Sequence, residues 1–330
     1  MLQIFVREAD RVVLRENDIS IPFEAAPPAL WYDLVRPSSA ECRHVEEALG
    51  VSVPTRDEME EIEPSARLYQ ESGAEIMTLT ALTNVDGDGP VKTPVTFILK
   101  GRTLVTVRYA DPKPFRMFAH RILRANDSSC SAGEDVMLGL VESIIDRMAD
   151  VLERTGNEID GISREVFAGK SKSSTKMTSD LRSLIEQLGQ KGDFLGGVRE
   201  SLVSISRLVA YHAAVEHPAH KPTKEVRQMV KLLQRDASSL GDHAAFLSGK
   251  VNFLLDATLG LINLEQNQII KIFTVASVVF LPPTLVASIY GMNFEVMPEL
   301  RWGAGYPWAI LLMALSAALP FYYFKRKGWL

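Results

Sequence analysis

Only two cysteines, Cys42 and Cys130, occur in the 330 residues, so the chain holds no disulfide framework and no zinc knuckle, a usage that suits a reducing compartment. A cationic surplus is also missing. Lys and Arg total 36 against 41 Asp and Glu, and a net charge of −5 argues against nucleic acid, whose phosphates need an excess of cations. The N-terminal MLQIFVREADR carries Arg7, Glu8 and Asp10 in place of the long apolar run of a cleaved signal peptide, so membrane targeting is expected from elsewhere. No clustered nucleophile, base or cofactor loop emerges, which makes an enzyme the least favoured class. Gly169-Lys170-Ser171 has the ending of a nucleotide-binding loop, but Arg164 stands where the first glycine belongs and the preceding pattern is helical, so no ATP site is expected. His212, His217 and His220 straddle Pro218 and match no standard zinc pair; they read as surface histidines. The acidic run Asp57, Glu58, Glu60, Glu61 and Glu63 reads as a solvated helix face, with a share in metal binding between subunits as the alternative.

What the chain does have is apolar sequence at one end. It is 46% hydrophobic with a mean hydropathy of only +0.03, so its apolar segments are offset by a polar remainder. Ile272 to Tyr290 and Tyr306 to Phe324 are each 19 consecutive uncharged residues. Each is close to the roughly 20 that cross a hydrocarbon core of about 30 Å, and both are read as transmembrane helices. The loop between them, residues 291–305, holds Glu295, Glu299 and Arg301, whereas Lys325, Arg326 and Lys327 follow the second span at once. The positive-inside rule then places the C-terminus in the cytoplasm, and two crossings place the N-terminus there as well. Aromatic residues cluster at both expected interfaces: Tyr290, Trp302, Tyr306 and Trp308 outside, and Phe321, Tyr322, Tyr323, Phe324 and Trp329 inside. Residues 1–268 contain 31 of the 36 basic and 39 of the 41 acidic residues, a net charge of −8 on the cytoplasmic part.

Three regions follow from the hydrophobic periods. Residues 1–130 read as a cytoplasmic α/β domain, with strands expected at Leu2–Val6, Val12–Leu14, Ile76–Leu82, Val95–Leu99 and Thr103–Val107 and a hairpin tip at Lys100-Gly101-Arg102. Ser38 with Glu41 and Thr55 with Glu58 have the spacing of capping boxes. Residues 131–271 read as a helical domain and stalk, with helices over about 134–168 and 174–214, and residues 272–330 as a transmembrane hairpin with a basic tail. Val226, Val230, Leu233, Ala237, Leu240, Ala244, Leu247, Val251, Leu254, Thr258 and Leu261 recur at steps of four and three, the a/d seam of a coiled coil. No Gly or Pro cluster separates this seam from the first span. One helix from Lys224 to Tyr290 would have 67 residues and a length of about 100 Å.

Carried into the membrane, the stripe is read as Asp256, Gly260, Asn263, Asn267, Ile270, Phe273, Ser277, Leu281, Thr284 and Ser288, with Asn293 just beyond. Small and hydroxylated residues on a membrane helix commonly serve close packing. Here the row starts with a carboxylate and two carboxamides and ends on another carboxamide, and Pro282 and Pro283 free backbone carbonyls at membrane depth, which is tolerated beside protein or a watery cavity. Two spans cannot enclose a pore alone, so the row implies a homo-oligomer.

Tyr290-Gly291-Met292-Asn293 at the end of the first span, the following Phe294 to Leu300, Arg301-Trp302 and the basic ending Lys325 to Leu330 resemble the signature of the CorA family of divalent-cation transporters. Trp31-Tyr32-Asp33-Leu34, Pro54-Thr55-Arg56 and Glu61-Ile62-Glu63 extend the likeness to the N-terminal half. The resemblance implies a funnel-shaped homopentamer with an α/β cytoplasmic domain, a stalk helix leading into the pore-lining span, an outer ring of second spans, and magnesium as the main cargo. It also implies a hydrophobic constriction near the inner membrane surface, for which Ile270 and the bulky Phe273 are the candidates, since apolar rings block ions by dewetting.

The residues suit that cargo. Magnesium dehydrates reluctantly, so an entrance built from neutral acceptors that bond its water shell is better than one that strips it. Asn293 supplies a carboxamide, Gly291 leaves the helix-end carbonyls open, Met292 lies between them, and the helix C-terminus carries about half a negative charge. Glu295 and Glu299 either add to the attraction or are plain solvated loop charges. No cofactor is implied beyond magnesium as transported and regulatory ion. The −8 charge suggests that intracellular magnesium bridges acidic groups between cytoplasmic domains, at residues the sequence does not identify. Expected partners are further copies of the chain, the bilayer of the cytoplasmic membrane and divalent cations, with cobalt and nickel as minor cargo. The competing readings are a zinc transporter of the same family, against which Glu295 to Leu300 speaks, and a membrane-tethered scaffold or sensor whose stalk only oligomerises.

Overall fold

The computed structural model describes residues 1–8, 11–16, 29–87, 89–124, 130–167, 174–215, 223–293, 295 and 297–329. The chain divides into two compact units, Met1–Ala168 with Glu186–Leu254, and Gly169–Ile185 with Leu255–Leu330.

In the first unit, strands β1 (Leu2–Glu8), β2 (Arg11–Glu16), β3 (Ala29–Val35), β4 (Leu68–Glu71), β5 (Ala74–Thr83), β6 (Val91–Lys100) and β7 (Thr103–Arg108) form a sheet in the order β2-β1-β3-β7-β6-β5-β4. The pair β3–β7 is parallel and the other neighbours are antiparallel. The five expected strands form, β6 and β7 joined at Gly101 with a φ of +59°. The period of two splits the strands other than β2 between two cores. Phe5, Trp31, Phe97 and Leu104 face a core shared with α4 (Lys113–Arg124), α5 (Gly133–Phe167), α6 (Ser174–Ala214) and α7 (Lys224–Tyr290). Tyr32, Leu34, Ile98 and Val105 face another shared with α1 (Ser39–Leu49) and α2 (Arg56–Glu60), followed by the single turn α3 (Pro64–Arg67). Strand β3 had no alternation to betray it, because six of its seven residues are buried.

Both capping boxes close as expected: the Ser38 amide donates to Glu41 at 2.8 Å and the Thr55 amide to Glu58 at 2.7 Å. Across the parallel pair, Arg108 Nη2 lies 2.8 Å from Asp33 Oδ2, Thr106 Oγ1 donates to Asp33 at 2.7 Å, and Trp31 Nε1 donates to Thr106 at 2.8 Å. The Asp33 and Arg108 side chains are both buried, and the guanidinium lies 4.8 Å above the Phe115 ring centre, so the Trp31 to Leu34 segment is structural.

Helix α7 has the anticipated 67 residues, but its seam does a different job from the one expected. Val230, Leu233, Ala237, Ala244, Leu247, Val251 and Leu254 are buried inside the single chain, the first three within the core under the sheet. Steps of three and four arise whether the partner helix belongs to another copy or to the same chain, and here the chain uses them on itself. The polar row does not continue that seam either. Asp256 follows Leu254 by two residues, about 200° around a helix, so the row runs along the opposite face.

The second unit holds the remainder of α7, a 3₁₀ turn at Pro298–Arg301 and α8 (Gly305–Arg326). These two helices are long and apolar enough to cross a membrane. Each shelters one line of residues: on α7 the buried Val275 with the partly buried Val279, Pro282, Pro283, Val286 and Tyr290, and on α8 the buried Ala309 with the partly buried Met313, Ser316, Pro320 and Phe324.

Candidate functional site

The sheltered line decides which way the candidate pore-lining residues of α7 point. Ser277, Leu281, Thr284 and Ser288 each stand two residues beyond a sheltered one, and all four are exposed. They therefore occupy the side of the span turned away from the covered line. Asp256, Gly260, Asn263, Asn267, Ile270 and Phe273 are exposed as well. The Thr284 hydroxyl donates to the Phe280 carbonyl at 2.8 Å, leaving its oxygen lone pairs outward. Pro282 and Pro283 lack the N–H groups that would bond the Val278 and Val279 carbonyls.

At its far end α7 stops at Tyr290. The Gly291 amide donates to Ala287 at 2.9 Å and the Met292 amide to Ile289 at 3.2 Å, while the Ser288 and Tyr290 carbonyls accept no backbone bond among the described residues. A Cβ at Gly291 would lie 3.1 Å from the Ala287 carbonyl oxygen and 3.6 Å from that of Ser288, so any larger residue crowds the helix end. Asn293 is exposed and uncommitted to any described neighbour, and Glu295 is exposed; the Glu299 side chain lies outside the described part. Oriented carbonyls, an open carboxamide and the negative end of a helix dipole share this end, a set of acceptors suited to a hydrated cation.

At the other end of the span, Ile270 and Phe273 are 60% and 70% exposed, large apolar groups interrupting a polar row. Lys271 Nζ lies 5.8 Å from the Trp329 ring centre, Trp329 stacks on Phe324 at 5.3 Å, and Lys327 Nζ lies 5.4 Å from the Tyr323 ring centre. The basic tail is thus held by aromatic rings against the end of α8 and beside α7.

Other candidates resolve differently. His212 is not a surface histidine: it is 3% exposed, with Nδ1 2.9 Å from Glu75 and Nε2 3.0 Å from Glu134. Those partners lie 137 and 78 residues away, so no local pattern could have announced them. His217, His220 and Gly169-Lys170-Ser171 lie outside the described residues. The side chains of Asp57, Glu58, Glu60, Glu61 and Glu63 are exposed, as a solvated face requires. Cys42 and Cys130 are not joined in a disulfide. Among the described residues no cluster of three His, Cys, Asp or Glu side chains could hold a metal.

A family model described as CorA-like Mg2+ transporter protein matches residues 29–326. The chain belongs to the CorA family. The magnesium transport protein CorA of Escherichia coli is 38% identical over 333 residues, covering the whole of both chains. Among solved structures, the complete CorA magnesium transporter of Methanocaldococcus jannaschii matches with a TM-score of 0.78 at 20% identity, over 100% of this chain and 99% of that one. The ZntB cytoplasmic domain of Vibrio parahaemolyticus matches with a TM-score of 0.56 at 11% identity over 79% of this chain and 97% of that one, a likeness of fold alone. The CorA fold, an N-terminal α/β part followed by a long helix and two C-terminal apolar helices, is that of this chain.

Proposed function

We propose that the chain is a channel-like transporter for magnesium uptake across the cytoplasmic membrane, with cobalt and nickel as minor cargo. The observation that carries the reading is the row Ser277, Leu281, Thr284 and Ser288, left open on the face of α7 opposite its sheltered line and ending beside Asn293. The three hydroxyl side chains of this row are better placed facing an axis among several copies, where they line a path with Leu281 between them, than facing hydrocarbon. In this reading five copies surround the path, Asp256, Asn263 and Asn267 continue it on the cytoplasmic side, and both termini are cytoplasmic. In the same reading the α/β domain is assigned to 1–130, the helical domain and stalk to 131–271 and the transmembrane hairpin to 272–330.

Asn293, beside Gly291 and Met292, takes the ion with its water shell, accepting hydrogen bonds from that shell while the helix-end carbonyls supply negative potential. Glu295 and Glu299 raise the local cation concentration. Ile270 and Phe273 form the gate, closed when apolar side chains meet and water withdraws. Flow is driven by the membrane potential, which supplies about 4.6 kcal/mol per 100 mV to a divalent ion. Intracellular magnesium closes the path by bridging acidic groups between cytoplasmic domains.

The test is cation uptake into proteoliposomes, magnesium against zinc, with native mass spectrometry of the same preparation. Magnesium flux through a pentamer is expected. A stable monomer or dimer removes the path, and zinc flux without magnesium flux replaces the cargo.

A further inference from the structure

Away from this pathway, the first unit gathers cations within an acidic chain. The turn between β5 and β6 presents Asp86 to three of them. Arg147 Nη2 lies 2.5 Å and Arg154 Nη1 2.7 Å from Asp86 Oδ1, and Lys113 bonds Oδ2. Hydrogen bonds from Arg154, Lys113 and Arg147 hold the Asp86 carboxyl far below the usual carboxylate range. At the start of α4, Asp111 takes Arg116 and Arg108, the latter shared with buried Asp33. Five cationic side chains thus face three carboxylates among the described residues; Asp88 lies outside them.

Between this turn and the start of α4 is a cavity of about 410 Å³, lined by Asn84, Asp86, Asp111, Lys113, Arg116 and Arg147. Three further features leave it short of negative charge among the described residues. The 12-residue α4 points its positive end here, and its first turn contains Lys113 and Arg116 with no acid, the wrong sign for that end. The Arg147 Nε is buried with no acceptor among the described residues. Arg147 and Lys113 both serve Asp86, although each has more donors than that carboxylate can use.

We propose that this cavity binds a phosphate group, with Lys113, Arg116 and Arg147 as its donors and Asp86 as a built-in competitor that occupies part of the same cationic set. Tetrahedral oxyanions match converging guanidinium and ammonium groups, and charge-assisted bonds of this kind give the affinity. The group could arrive as free inorganic phosphate or as the end of a polyphosphate such as a nucleotide. The proposal is independent of the transport reading, because its readout is binding.

The experiment is isothermal titration calorimetry on detergent-solubilised full-length protein, at ionic strength held constant with chloride. The probes are metal-free inorganic phosphate, pyrophosphate and ADP. Saturable binding is expected. Lys113→Ala, a change at a half-exposed side chain, should weaken it about tenfold, and Asp86→Asn should tighten it about tenfold by releasing the donors. Pyrophosphate and ADP binding more tightly than phosphate assigns a polyphosphate end, and equal affinities assign a single phosphate. No saturable binding by any probe overturns the proposal, as does binding that Lys113→Ala leaves unchanged. So does a fall in melting temperature of Asp86→Asn with no gain in affinity, which reduces the cluster to a latch for the turn. Should Asp86→Asn not fold, Lys113→Ala decides alone.

Discussion

His212 closes the end of α6 onto Glu75 at the start of β5 and Glu134 at the start of α5, and Arg227 and Lys231 of α7 line the hollow beside it. Burial alone would lower its pKa, but hydrogen bonds and charge from Glu134 and Glu75 outweigh that and push it up to about 9. From an unfolded value of about 6.5, at 1.36 kcal/mol per unit, the clasp contributes about 3 kcal/mol to the first unit. The sign follows from the raised pKa: the contribution is complete below about pH 6.5 and is lost as the pH rises through 9. His212→Gln keeps size and one donor group but no charge, and leaves two carboxylates facing each other. It should cost about 3 kcal/mol at neutral pH, in the range for breaking a buried pair. Trp31 is buried and stacks on Phe5 at 4.3 Å, so its fluorescence reports the first unit once Trp302, Trp308 and Trp329 are replaced by Phe. Urea unfolding of that background, with and without His212→Gln, should show a stability gap that narrows between about pH 6 and pH 10. A gap that stays constant across that interval refutes the imidazolium assignment.

Asn293→Ala should give protein that assembles and reaches the membrane but takes up no magnesium, and Asn293→Asp should not restore flux because a ring of full charges holds the ion; near-normal uptake by a correctly assembled Asn293→Ala oligomer defeats the entrance role. Phe273→Ala should raise magnesium leak at high internal magnesium, measured by dye-loaded proteoliposomes, whereas unchanged closure would move the gate elsewhere. Arg108→Met strands the buried Asp33 carboxylate and should cost about 3–5 kcal/mol in the same urea assay; a change below about 1 kcal/mol would mean that Thr106 suffices to satisfy Asp33.

Local chemistry was readable wherever the physics is local. Ser38 and Glu41, or Thr55 and Glu58, close their boxes over three residues, so the interaction is written in the spacing. The spans are equally plain, because 19 uncharged residues have few other stable settings in so charged a chain. Strand β3 was missed for the converse reason: buried on both faces, Ala29–Val35 shows no period, and Asp33 inside it looks like a surface residue until Arg108 arrives from β7.

The length of α7, the apolar character of the two spans, the polar residues on the membrane portion of α7 and the family signature around Asn293 were all determined by the sequence alone. Hydropathy and helix period depend only on neighbours along the chain. Which side of α7 is spent was decided by tertiary structure: the seam from Val230 to Leu254 packs inside its own chain, and the line from Val275 to Tyr290 is sheltered, so the row ending at Ser288 lies on the side left open. The charged clusters were decided there too. His212 with Glu75 and Glu134, and Asp86 with Lys113, Arg147 and Arg154, meet only because sheet register and helix packing bring distant segments within hydrogen-bond reach, a condition that no spacing along the chain encodes.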